Sequence, residues 1–139
     1  MKDGHEFFSH TADVGLRAAG GTLTELFVHM AQGLVELIAE DSRLESRTTR
    51  TISLTAADTE SLLVAWLSEL LFWFSTDRFL PVAYPALQIA GTKVTATVRG
   101  DRFDPARHVQ GREVKAITRH AANVTQRQSE WLAEVIVDI

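Results

Sequence analysis

The stretch from Leu62 to Phe74 constrains this chain most, because it is too apolar on every side to lie on a surface. Its period fits a helix from Glu60 to about Ser75, with Asp58 or Thr59 as the cap. Leu62, Leu63, Trp66, Leu70, Phe72 and Trp73 wrap most of the way round that helix. A helix apolar all round is packed on more than one side. The expectation is burial between layers; the alternative is a face kept for a partner.

The rest of the chain must supply those layers. Residues 7–18 alternate, with Phe8, His10, Ala12, Val14, Leu16 and Ala18 on one face and Asp13 on the more polar one. Period two predicts a half-buried strand. Gly20-Gly21 breaks it, and Thr22 with Glu25 three residues on is a capping box opening a helix. Leu23, Leu26, Phe27, Met30, Leu34 and Leu37 give that helix one apolar stripe. His29 falls on the other side and reads as a solvated residue. Further strands are expected at 51–56, 84–89, 93–98, 113–123 and 131–137, with a turn at Ala90-Gly91-Thr92 and another at Gln126 to Glu130. Pro85 confines its strand to an edge or an irregular start. Asp101 to Arg112 reads as a charged irregular loop. The expected fold is α+β in two layers. Two helices pack on one face of a mixed, largely antiparallel sheet, in the order β-α-β-α-β-β-β-β. Residues 1–139 are expected to form a single domain.

No cysteine is present, which removes disulfides, thiolate zinc sites and cysteine nucleophiles. The N-terminus lacks the apolar core of a secretory signal, and the run around Leu62 to Phe74 is too short to span a bilayer. The expected location is cytoplasmic, with no membrane partner. Net charge is −4, unevenly spread: residues 1–89 carry 6 Lys/Arg against 12 Asp/Glu, and residues 90–139 carry 8 against 6. Arg99, Arg102, Arg107, Arg112, Lys115 and Arg119 form most of the basic excess. They read either as a solvated face or as a patch for phosphate or an acidic partner. The excess is too small for a typical stand-alone nucleic-acid module.

Two constellations are candidates for chemistry. The last strand runs straight into Asp138 and Ile139, setting a side-chain carboxylate beside the main-chain one. If the terminal strands are neighbours, Asp13, Asp138 and the Ile139 carboxylate converge as oxygen ligands for a hard cation such as Ca²⁺ or Mg²⁺. Otherwise they are a surface aspartate and an ordinary chain end. The second is Lys115, placed by alternation on one strand face with Ile117 and Arg119. It is either a point charge for phosphate or carboxylate, or a snorkelling surface lysine. The phosphate loop, the G-x-S-x-G elbow and the H-E-x-x-H helix are absent. His10, His108 and His120 lack zinc-ligand spacing. These patterns point to action through binding.

Several segments together resemble the archease family. They are His10-Thr11-Ala12-Asp13-Val14-Gly15, Leu67-Ser68-Glu69-Leu70-Leu71, Phe103-Asp104-Pro105-Ala106-Arg107-His108, Glu113-Val114-Lys115-Ala116-Ile117-Thr118 and the closing Trp131 to Ile139. The resemblance runs from about Glu6 to the last residue. It implies an accessory factor rather than an enzyme. Its partner would be a GTP-dependent RNA ligase that joins 3′-phosphate or cyclic-phosphate RNA ends in tRNA splicing and RNA repair. The factor would promote guanylylation and multiple turnover of that ligase, meeting RNA only through it. The resemblance also implies a divalent cation, calcium or magnesium, held by Asp13, Asp138 and Ile139, with Lys115 as the lysine acting on the partner. Two positions depart from the family pattern: Ser9 where an acid is common, and Arg119 where an aromatic is common. The alternatives are a metal-dependent phosphoester hydrolase using the same acids, or a stand-alone RNA-binding or chaperone-like module.

Overall fold

In the computed structural model, residues 4–9, 13–40 and 43–139 are described. The elements are β1 (Gly4–Ser9), β2 (Asp13–Gly20), α1 (Leu23–Ile38), β3 (Thr48–Thr55), α2 (Thr59–Asp77), β4 (Phe79–Ala90), β5 (Lys93–Arg102), β6 (Ala116–Arg127) and β7 (Glu130–Asp138). They form a four-stranded sheet, ordered β1-β2-β7-β6, and a three-stranded sheet, ordered β3-β5-β4. Every pairing within them is antiparallel. The fold is α+β as expected, but the expected single sheet is two. The physical reason lies in α2: an all-round apolar helix needs walls on several sides, and one sheet offers one. Helix α2 packs on β3, β4 and β5 of one sheet and β6 of the other, while α1 packs on β1, β2, β7 and β4.

Local chemistry explains the helix ends. Thr22 Oγ1 accepts from the Glu25 N–H at 3.1 Å, and Glu25 reaches back to accept from the Gly21 N–H at 2.8 Å. Asp58 caps α2 by accepting from the Ser61 N–H at 2.7 Å, and Arg78 closes it in the left-handed region at φ 60. Between these ends Trp66 is fully buried and donates its indole N–H to the Phe27 carbonyl at 3.0 Å, joining the two helices. Phe72, 57% exposed, is the large apolar side chain of α2 that stays in solvent. No described helix is long and apolar enough to cross a membrane.

Three sequence expectations need correction. The strand expected over residues 7–18 is two strands, β1 and β2, paired with Phe8 opposite Gly15 and Phe7 opposite Leu16. An alternating pattern continues undisturbed through a reversal, so it hides the hairpin; residues 10–12 themselves lie outside the described residues. Phe8 therefore lies over Gly15, on the sheet face opposite to that of Leu16, not beside it. The strand around Pro85 begins earlier, at Phe79; it is an edge strand with register shifts near Pro81 and Pro85, which fits two residues without an N–H. The strand expected over 113–123 is β6, Ala116–Arg127, and its turn is at Gln128, φ 56.

Candidate functional site

Strands β2 and β7 are neighbours, so the two distant aspartates come together. Asp13 is directly opposite Asp138, one step beyond the pair Val14 and Val137. Residues opposed in an antiparallel ladder share a face, with Cβ atoms about 4.5–5.5 Å apart. Asp138 is also opposite Ala116 of β6, and its carbonyl accepts the Lys115 N–H at 2.8 Å. Asp13, Asp138 and Ile139 are half-buried, and Lys115 is exposed. Ile139 packs its side chain against the core, which anchors the main chain that follows Asp138. The other face of these strands is core: Val135 and Val137 are fully buried and Ile117 nearly so.

The donor chemistry of this edge is carboxylate oxygen only, the set that suits a hard cation. Like charges directly opposed across a ladder disfavour each other. Among the described residues no three His, Asp or Glu side chains cluster to hold a metal. Of the expected ligand side chains, the ladder brings together Asp13 and Asp138. Lys115 is not within a strand, as alternation suggested; it immediately precedes β6. His10 lies outside the described residues. His120 is exposed on a bulge of β6 between Thr118 and Asn123, where Ala121 adopts φ 59.

The basic run does not form one face. Arg119 bonds Ser61 Oγ at 3.1 Å and lies 3.5 Å from Asp58, tying the bulge to the start of α2. Arg99 donates to the Ser46 carbonyl at 3.0 Å. Arg107 sits among Asp101, Asp104 and Glu45 at 3.5, 3.3 and 3.8 Å.

That last cluster is a further constellation, which sequence reasoning missed. Asp101 is 2% and His108 4% exposed. Asp101 accepts N–H groups from Glu45 at 3.0 Å and Arg102 at 2.9 Å. Burial alone pushes its carboxyl up, but those two donors and the guanidiniums of Arg107 and Arg47 together hold it below the ordinary carboxylate range. The Ala106 N–H, the foremost cause, and Arg107 hold the Asp104 carboxyl below that range too. Asp104-Pro105 opens a tight turn, with the Arg107 and His108 N–H groups donating to the Asp104 carbonyl at 2.9 and 2.8 Å. The legible signal was that Asp-Pro turn with a histidine four residues after the aspartate.

A cleft of about 730 Å³ opens along β6 and β7, lined by Arg17, Asn123, Thr125, Arg127, Glu130 and Glu134 among others, and includes neither Asp13 nor Asp138. Arg17 lies over the Phe8 ring at 4.2 Å and between Glu6 and Glu134, each at 3.2 Å.

Residues 5–139 match the model of the Archease protein family (MTH1598/TM1083). The chain belongs to the archease family. Protein archease of Methanosarcina acetivorans is 33% identical over 139 residues, covering 97% of this chain and 95% of the relative. Protein archease of Sulfurisphaera tokodaii is 30% identical, covering 96% and 97%. Among solved structures, Methanobacterium thermoautotrophicum protein 1598 matches with a TM-score of 0.84 at 34% identity, over 98% of this chain and 99% of that one. The crystal structure of an archease, possible chaperone, from Thermotoga maritima matches with a TM-score of 0.62 over 95% and 94%; at 17% identity it shows the shared archease fold alone.

Proposed function

We propose that this archease-family chain is an accessory factor for a GTP-dependent RNA ligase, acting through the edge formed by Asp13, Asp138, Ile139 and Lys115. The observation that carries the reading is the pairing of Asp13 with Asp138, with the Lys115 N–H on the Asp138 carbonyl. In this reading Asp13, Asp138 and the Ile139 carboxylate hold a divalent cation, calcium or magnesium. The cation supplies a concentrated positive charge that a phosphate or an acidic ligase group can approach. Lys115, exposed beside it, adds a mobile point charge for the same anionic target. The set offers neither a second metal site nor a nucleophile paired with an activating base, which favours assistance to a partner's chemistry over hydrolysis by the chain itself. The setting is tRNA splicing or RNA repair in the cytoplasm, with RNA engaged through the ligase.

The test is guanylylation and multiple-turnover ligation by the matching ligase, with wild type, Asp13→Ala, Lys115→Ala and Asp138→Ala. Each variant is expected to lose most of the activation while keeping its fold. Normal activation by all three sinks the assignment. Metal-dependent phosphoester cleavage by the isolated chain, abolished in Asp13→Ala, supports the hydrolase reading instead.

A further inference from the structure

Lys115 is carried by the segment from Phe103 to Lys115, which belongs to neither sheet. That segment is nonetheless pinned at successive points. At its start the Phe103 N–H donates to the Arg78 carbonyl at 2.7 Å, and the buried Phe103 ring stands edge-on to Phe74. His108 follows, buried. Its Nδ1 accepts the Asp104 N–H at 2.9 Å, so the ring proton resides on Nε2, which donates to the Arg43 carbonyl at 3.0 Å. The Asp101 carboxylate lies 3.7 Å from that Nε2. Next, the Gly111 and Arg112 N–H groups donate to the Ile38 and Leu37 carbonyls, both at 2.8 Å. These belong to the last four carbonyls of α1, which have no partner inside the helix, and α1 has no basic residue in its last turn to meet them. Glu113 and Val114 alone separate this anchor from Lys115, and Val114 packs against the core.

We infer that residues 103–115 form a strap, and that His108 and Gly111 are positioning residues that set Lys115 beside the Asp13–Asp138 pair. This deepens the accessory reading and rests on it, since it takes Lys115 as the group offered to a phosphate. A lysine stem has four rotatable carbons, so the place of its ammonium depends on a fixed backbone. Lys115 precedes the β6 ladder, and its N–H bond to Asp138 is one link; the strap fixes the main chain on the other side. Each anchor is chemically specific. A neutral imidazole accepts at one nitrogen while donating at the other, a pairing that Asn and Gln each reproduce at one end only. Gly111 lies so close to α1 that a Cβ there would collide with the Leu37 carbonyl oxygen.

The experiment measures amide hydrogen exchange of the full chain at Lys115, Val135 and Val137, alongside ligase activation, in wild type, Lys115→Ala, His108→Ala, His108→Asn, His108→Gln and Gly111→Ala. His108→Ala and Gly111→Ala are expected to speed exchange at Lys115 about tenfold or more, with Val135 and Val137 within about twofold of wild type. The plateau of activation falls while the half-saturating concentration of the chain holds, and the Asn and Gln variants recover part of it. Unchanged exchange at Lys115 in both variants overturns the strap. So does acceleration at Val135 and Val137 in step with Lys115, which marks general loosening. Normal activation by Lys115→Ala overturns the accessory reading of Lys115. Strap variants that leave exchange and activation untouched, while Lys115→Ala abolishes activation, overturn the positioning role alone.

Discussion

Replacing Asp101 by asparagine tests the cluster beneath the strap. The wild-type carboxylate accepts two main-chain N–H groups, one on each oxygen. Asparagine offers one oxygen and one NH₂, so one of those N–H groups then faces another donor. Losing a charge-assisted bond costs about 2 kcal/mol, and a buried donor left without an acceptor adds about 1 kcal/mol. The lost attraction to Arg107 and Arg47 adds little, because both guanidiniums are well exposed. The expected loss is about 3 kcal/mol. For a domain of this length the unfolding entropy is about 0.3 kcal/mol per kelvin, so Tm falls by about 10 °C. The assay is thermal and urea unfolding followed by tryptophan fluorescence across pH. A carboxyl held below its unfolded value contributes stability that is complete above about pH 4 and lost as pH falls through its folded value. The gap between wild type and Asp101→Asn should therefore be constant from pH 7 to 5 and close below pH 4. A gap under 1 kcal/mol at pH 7, or one as wide at pH 3 as at pH 7, refutes the reasoning.

Three further outcomes are expected. The Tyr84 hydroxyl is buried without a hydrogen-bond partner among the described residues, and burial pushes its phenol above the usual range. Tyr84→Phe should thus raise stability by about 1 kcal/mol in urea unfolding and remove a loss of stability above about pH 10; clear destabilisation would expose a missing partner. At Gly100, opposite Pro81, a Cβ would strike the Leu80 carbonyl oxygen, which cannot rotate away. Gly100→Ala should cost about 3 kcal/mol by opening the β4–β5 ladder, and a loss below 1 kcal/mol in the same assay would contradict the close approach. Millimolar Ca²⁺ or Mg²⁺ at ten times its dissociation constant should stabilise wild type by about 1.4 kcal/mol, or about 5 °C in Tm, and leave Asp13→Asn unmoved. An equal shift in both proteins would remove Asp13 from the ligand set.

What was legible in the sequence was local chemistry. Thr22 and Glu25 met across one helical turn, and Asp58 capped the next helix, because the groups involved are three or four residues apart. The all-round apolar surface of α2 announced burial on several sides, although not that two separate sheets would supply it. Non-local placement was not legible. Asp13 and Asp138 meet through a strand register that no spacing encodes: the residue pattern raised them only on the condition that the terminal strands are neighbours, and the family resemblance made them the expected ligands. The reversal between β1 and β2 was masked by alternation running through it. His29, expected in solvent, is half-buried and donates through Nδ1 to the Ala19 carbonyl at 2.6 Å, because the start of α1 doubles back over the end of β2. The Asp101–His108 cluster needed two chain segments to fold onto one another before its partners existed.

The sheet order β1-β2-β7-β6 has a consequence for how the molecule is made. The strand latest in sequence is not an edge; it lies between β2 and β6, which do not touch each other's ladders. During synthesis from the N-terminus, β3, β4 and β5 have all their ladder partners once Arg102 has been added. Asp13, on β2, waits for residues added more than a hundred positions later. Arg17 waits in the same way for Glu134, 117 residues on. A chain lacking β7 has no strand to join β2 to β6, and so no edge at which Asp13 stands opposite Asp138. The carboxylate pair thus forms only where β7 has been made and has inserted between β2 and β6.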